Sequence, residues 1–178
     1  MTQQTQSSTF NRLTDQDLRT IITDPDGAQT LVEWAERLGK ALAPKYKGDK
    51  NALTTSQIRA LYGEVRQIQE EWRTALMDPQ HREQAHRAAI RRLTLLKPKM
   101  SYRVGKETKE EKKRAIKALV DVLVPGINLV IQARARTKEE YEKASPLGTI
   151  RDTQEDNFQR FAEFFEAILA YHKAYGGE

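Results

Sequence analysis

Two groups of basic residues stand at helical spacing in this chain. In LTTSQIRALYGEVRQ, Leu53 to Gln67, the hydroxyls of Thr54, Thr55 and Ser56 precede Arg59, and Arg66 and Arg73 follow at steps of seven. In LLKPKMSYRVGK, Leu95 to Lys106, the cations Lys99, Arg103 and Lys106 follow at steps of four and three, beside Tyr102. A helix that begins at Thr54 or Thr55 offers free backbone N–H groups and the positive end of its dipole to an anion, one turn from Arg59. A basic stripe beside an aromatic can follow a phosphate backbone and stack a base. The competing reading is an ordinary N-cap with arginines in surface pairs, since Glu70 sits between Arg66 and Arg73, and a buried Tyr beside snorkelling lysines. With Arg59 at zero and about 100° per residue, Ile58, Leu61, Tyr62, Val65, Ile68 and Trp72 fall at about 180° to 300°, with Arg66 and Arg73 near 340° and 320°. The arginines therefore line one flank of a buried stripe.

The search for catalytic chemistry ends in a negative expectation. HREQAH, His81 to His86, resembles a zinc-protease helix superficially, but those sites need His at i and i+4 with Glu directly after the first. Here the histidines are five apart and Glu83 is two residues on, a rotation of about 140° that keeps one metal from reaching both. No glycine-rich phosphate loop, nucleophile elbow or acidic metal loop is present. Glu107, Glu110 and Glu111 lie among lysines as solvated helix pairs, such as Glu110 with Arg114. The chain contains no cysteine, which excludes disulfides and the usual zinc clusters. A non-enzyme with no cofactor and no metal is expected.

The elements that must position these residues read almost entirely as helices. At 178 residues, 38% hydrophobic and 31% charged, the chain is expected to fold as one domain over residues 1–178, with residues 1–12 a flexible tail. Residues 79–117 carry thirteen Lys and Arg against four Glu, a net +9, while the whole chain is +5, so the basicity is regional. A solvated helix face or an anionic partner accounts for such a run. The opening residues lack a secretory core, and no apolar run is expected to approach a membrane span, so a cytoplasmic location is predicted. Thr14 with Asp17 predicts a capping box and DPDG at 24–27 a turn; Leu31, Ala35, Leu38 and Leu42 form one buried stripe. Asp78 is expected as an N-cap with Pro79 as the first helical residue. Pro98 is expected to break or kink the chain at Lys97, and the PG at 125–126 either kinks or stops another helix. Residues 134–152 read as a long connection, and Thr153 with Asp156 as the start of a last helix carrying Phe158, Phe161 and Phe165. The predicted fold is all-α, a single compact helical bundle of about five to six helices.

LTTSQIRALYGEVRQIQ (53–69), LLKPKMSYRVGK (95–106) and FAEFFEAILAYHKAYGG (161–177) occur in the order of three signature segments, and residues 53–177 resemble the small subunit of type III-A CRISPR effector complexes, the Csm complex. Met100-Ser101 stands where that family often has Leu-Ala. The resemblance implies a compact helical protein that stacks in several copies along a ribonucleoprotein, beside other Csm subunits. It implies no nuclease activity of its own, and a role in holding crRNA and target RNA through phosphates. The contacts it implies are Arg59, Lys97, Lys99 and Arg103, with Thr54, Ser56, Arg66 and Lys106 as secondary candidates. Phosphate contacts suit a complex whose sequence reading is done by guide pairing. The alternatives are the corresponding type III-B subunit, a free-standing helical RNA-binding module, and a helical protein–protein adaptor whose basic edges meet an acidic surface.

Overall fold

Thr14 opens the first helix as expected: its Oγ1 accepts from the Asp17 N–H (3.0 Å) and Asp17 Oδ2 accepts from the Thr14 N–H (3.2 Å), so each end of the capping box satisfies a donor the helix cannot. The computed structural model describes residues 9–178. Among them lie seven helices: α1 Asp15–Thr23, α2 Ala28–Leu42, α3 Thr55–Leu76, α4 Arg82–Lys106, α5 Glu110–Gln132, α6 Lys138–Glu142 and α7 Gln154–Ala174. The fold is all-α, with the five-residue α6 added to the expected set. Of the expected tail, residues 1–8 lie outside the described residues, whereas Phe10 is buried in the core. The turn after α1 is held by Asp24, whose Oδ1 accepts from the Asp26 N–H (2.9 Å) and whose carbonyl accepts from the Gly27 N–H (3.0 Å).

Helix α7 is the hub, packed on α1, α2, α3 and α5, while α4 packs between α3 and α5. Its phenylalanines Phe161, Phe164 and Phe165 are among the largest fully buried side chains, and Phe158 stacks on Trp72 of α3 at 5.1 Å. Gly39 lets α2 approach closely, since a Cβ there would lie 2.7 Å from the Ile168 carbonyl oxygen. Burying one such aromatic fully is worth about 2–3 kcal/mol, which is why the hub is written in phenylalanine.

Four sequence expectations are corrected. Helix α4 continues through Pro98 and α5 through Pro125, which overturns the expected break and stop and leaves the kink as the surviving half of each expectation. Both prolines are exposed, and so are Thr94 and Asp121 four residues earlier, so the carbonyl that loses its partner faces water rather than the core. Asp78 does not start a helix with Pro79: its Oδ1 accepts from the Gln80 N–H (3.0 Å) and holds a turn, and α4 begins at Arg82. Residues 134–152 are not a plain connection, because Thr137 and Glu140 form a second capping box that opens α6. Finally, α5 is long and apolar enough to cross a membrane by length and composition, at a mean hydropathy of 1.6. Nine of its residues are buried against the other helices, so its apolar face is consumed by the bundle.

Buried charges pin the segment from 134 to 153. Arg136 donates from Nε and Nη2 to the two oxygens of Asp156, each at 2.7 Å, and to the Ser145 and Pro146 carbonyls at 2.9 Å. Asp156 also accepts from the Gly148 and Ile150 N–H groups. Burial favours its neutral form, but the Arg136 guanidinium and these donors outweigh that and hold its pKa below the usual carboxylate value. Arg160 reaches from α7 to the Ile22 carbonyl at 2.6 Å. On α4, His86 places Nδ1 2.8 Å from Glu155 Oε1 and Nε2 2.6 Å from Gln154 Oε1. The Gln154 amide N–H donates to the Ile131 carbonyl (2.9 Å), which aims its oxygen at the ring. Both ring nitrogens thus face acceptors, the arrangement of a doubly protonated imidazole. Burial opposes that charge, yet the Glu155 carboxylate prevails and raises the His86 pKa.

Candidate nucleic-acid interface

The mouth of α3 is closed by the protein itself. Thr54 Oγ1 accepts from the Gln57 N–H (3.1 Å) and Gln57 Oε1 accepts from the Thr54 N–H (2.9 Å), a third capping box. The Thr55 N–H donates to the main-chain oxygen of Glu178 at 2.6 Å. His172, fully buried, sets Nε2 2.8 Å from the Leu53 carbonyl oxygen, and burial lowers its pKa although that hydrogen bond opposes the shift. Gly177 lies against the same ring, where a Cβ would fall 2.1 Å from Cε1. The residues that follow α7 therefore occupy the place an anion would take at the start of α3.

Along α3 and α4 the picture is different. Antiparallel packing sets Glu64 and Glu71 of α3, seven residues apart, against Lys99 and Arg92 of α4, also seven apart. Lys99 Nζ is 3.2 Å from Glu64, and Arg92 donates to Glu71. This heptad ladder resembles the flanking charge pairs of a coiled coil and fixes the rotation of α4 against α3. It turns a broad face of α4 to solvent, with Arg91, Leu95, Tyr102, Arg103 and Lys106 on it; Leu95 is 48% and Tyr102 68% exposed.

Next to that face runs a groove made of two adjoining recesses. One, about 590 Å³, is lined by Glu64, Leu95, Lys99, Tyr102, Arg103 and Lys106. The other, about 380 Å³, is lined by Ser56, Gln57, Ala60, Arg103, Lys106 and Glu107, among others. Arg103 and Lys106 line both, and neither has an ion-pair partner among the described residues. Glu107 spends an oxygen on the Lys109 N–H (3.0 Å). An extended anion lying in the groove would meet two free cations, a third released from Glu64, and the exposed Ser56 hydroxyl.

The structure brings together Ser56, Lys99, Arg103 and Lys106 and separates the other sequence candidates from them. Lys97 lies about 160° round α4 from Lys99, and its Nζ donates to Asn128 of α5 at 3.0 Å. Arg59 and Arg66 are exposed on α3 but line neither recess, and Arg66 pairs with Glu70 at 3.5 Å. Thr54 is committed to its capping box. Arg91, Arg92 and Leu95 were missed; the signal available was the run Arg92, Lys99, Lys106 at steps of seven, which places Arg92 on the same face. His81 and His86 have separate partners, Asp78 at 2.6 Å and Glu155. Among the described residues no three His, Cys, Asp or Glu side chains gather where they could hold a metal ion.

Comparison of the chain with curated proteins and with solved structures returns no match. The family model for Csm2 of type III-A matches residues 26–178, taking in every helix from α2 to α7 and both halves of the groove. The chain belongs to the Csm2 Type III-A family, the small subunit of the type III-A CRISPR effector complex.

Proposed function

We propose that this subunit binds RNA without cutting it, through the phosphates that lie along the exposed face of α4. The observation that carries this reading is Arg103 and Lys106, one turn apart, lining both recesses with no acidic partner among the described residues. Unpaired cations in a groove serve a polyanion of any sequence, which fits a complex whose specificity resides in pairing between crRNA and target RNA. Several copies, held beside other Csm subunits in the cytoplasm, would convert a few contacts each into firm retention of the guide–target duplex. Lys99 joins once it leaves Glu64, and Ser56 adds a hydroxyl. Arg59 would serve a strand that passes outside the groove, one turn from Ser56, while Lys97, Thr54 and Arg66 are engaged by neighbouring residues of the chain itself.

Replacing Arg103 and Lys106 with Ala in the assembled complex is expected to weaken target capture to a similar degree for unrelated targets with matching guides. Unchanged capture by a normally assembled variant would sink the proposal. A second reading, a protein adaptor, is favoured by Leu95 and Tyr102, since exposed apolar anchors are what protein interfaces use. Association of the α4 face with its partners that survives RNase treatment would favour it.

A further inference from the structure

A second cationic recess, sharing no lining residue with the groove beside α4, lies where the segment before α1 meets α2. It encloses about 460 Å³ and is lined by Arg12, Arg37, Lys40 and Lys45 around Trp34 and Ala41, with Thr9 at its edge. No acidic residue lines it, and none of the four cations has an ion pair among the described residues. The nearby carboxylates are engaged elsewhere. Asp49 accepts from the backbone N–H groups of Lys45 (3.1 Å) and Asn51 (3.0 Å), and Glu36 accepts from the Tyr175 hydroxyl (2.5 Å).

Two of the cations have an ordinary explanation, because Lys40 and Lys45 stand at the end of α2, where the helix dipole favours positive charge. Arg37 lies before that last turn and Arg12 comes from another segment, so the dipole does not account for the cluster. Its side chains are also set in place. The Arg37 guanidinium lies 4.9 Å over the Trp34 ring and the Lys40 ammonium 5.2 Å over the Tyr175 ring, while Asp49 fixes the backbone at Lys45. An Arg stacked on an aromatic face keeps its N–H edge available for a planar or tetrahedral oxyanion.

We infer that this recess is a second anion site, built for the phosphates of a nucleic-acid strand, on a surface separate from α4. Four gathered cations without an acid repel one another until closely spaced negative charges arrive, and a phosphodiester backbone supplies such charges at regular intervals. A protein partner fits less well. Protein interfaces centre on exposed apolar anchors, whereas Trp34 and Ala41 here are only 7% and 9% exposed. The α4 face, with Leu95 and Tyr102 open to solvent, makes the contrast. Two such sites with no residue in common would let one subunit touch two strands or two turns of one duplex.

The test is the charge reversal Arg12→Glu with Lys45→Glu in the full chain, titrated with a fluorescein-labelled oligouridylate. With helical circular dichroism unchanged, affinity is expected to fall about tenfold near 0.1 M salt, and the log–log salt slope to become shallower by about 1.4, at about 0.7 per lost phosphate contact. If the double variant does not fold, Lys45→Glu alone, at an exposed loop position, is expected to flatten the slope by about 0.7. A folded variant with unchanged affinity and slope overturns the inference. Tighter binding of polyglutamate than of the oligouridylate, lost in the same variant, also overturns it and assigns an acidic protein surface. Loss with Arg12→Glu and Lys45→Glu but none with Arg103→Ala and Lys106→Ala would keep this site and reject the α4 reading.

Discussion

The cations around Asp156 and those on α4 are chemically the same, yet the protein treats them in opposite ways. Arg136 is 8% exposed and makes four side-chain hydrogen bonds, two of them to Asp156. Arg103 is exposed and has no ion-pair partner among the described residues. Water solvates Arg103 at little cost, so its charge is available to a ligand. Arg136 has no water to return to, and its charge is consumed in holding residues 134–153 to α7. The contrast separates charges that build the fold from charges that can act outside it, a distinction that sequence composition alone does not make.

The strongest way to break this comparison is to remove one partner of the buried pair. Asp156→Ala is expected to cost about 3–5 kcal/mol, because it strands the Arg136 guanidinium in the interior. Urea unfolding measures it, and a loss under about 1 kcal/mol would mean that the pair is no more than a surface contact.

The His86–Glu155 pair sharpens the same point through pH. The folded His86 pKa is raised, so its contribution is fully present below the unfolded value near 6.5 and is lost as pH rises through the raised value. The Glu155 pKa is lowered: burial opposes ionisation, but the His86 hydrogen bond and the backbone donors outweigh it. Its contribution is therefore present above the unfolded value and lost as pH falls through the lowered one. Stability from this pair is expected to peak between the two folded values. His86→Gln should cost about 1–3 kcal/mol near pH 6 and abolish the decline on the alkaline side, as read from unfolding midpoints across pH.

On the exposed side, Arg103→Ala with Lys106→Ala is expected to leave the unfolding midpoint within experimental error and to flatten the salt dependence of RNA binding by about 1.4 per subunit. A large stability loss would show that these residues belong with the buried class. Smallest of all is Glu64→Gln. It removes an exposed pair worth under about 1 kcal/mol but frees Lys99, so RNA affinity should rise slightly in a filter-binding assay. A fall would mean that Glu64 positions Lys99 for the ligand.

What could be read from sequence divides along the same line. The capping boxes at Thr14 and Thr54 and the cap at Thr153 are local, as are the apolar stripes of α2, α3 and α7, so a short window contains all their information. A break at Pro98 and a stop at Pro125 did not follow, because the cost of a missing N–H depends on whether the orphaned carbonyl faces water, and that is decided by the neighbouring helices. Arg136 and Asp156 are twenty residues apart in a segment with no periodicity, and nothing local pairs them. In the groove, Lys99, Arg103 and Lys106 were readable because three- and four-residue steps share a face. Lys97 belongs to the same short motif, but two residues turn a helix by about 200°. For Arg59, the sequence showed that it flanks the buried stripe, not which flank meets α4.

The position of α7 in the chain has a consequence in time. It touches α1, α2, α3 and α5, and its Arg160 closes on the Ile22 carbonyl, 138 residues away. The α3–α4 hairpin and its charge ladder need only neighbouring sequence and can form early, whereas the parts of α1, α2 and α3 that pack on α7 stay uncovered until residues 154–174 arrive. During synthesis the α3–α4 groove is thus completed before the interior. The nascent chain carries exposed leucine and isoleucine surface through most of its translation, a window in which chaperones have something to hold.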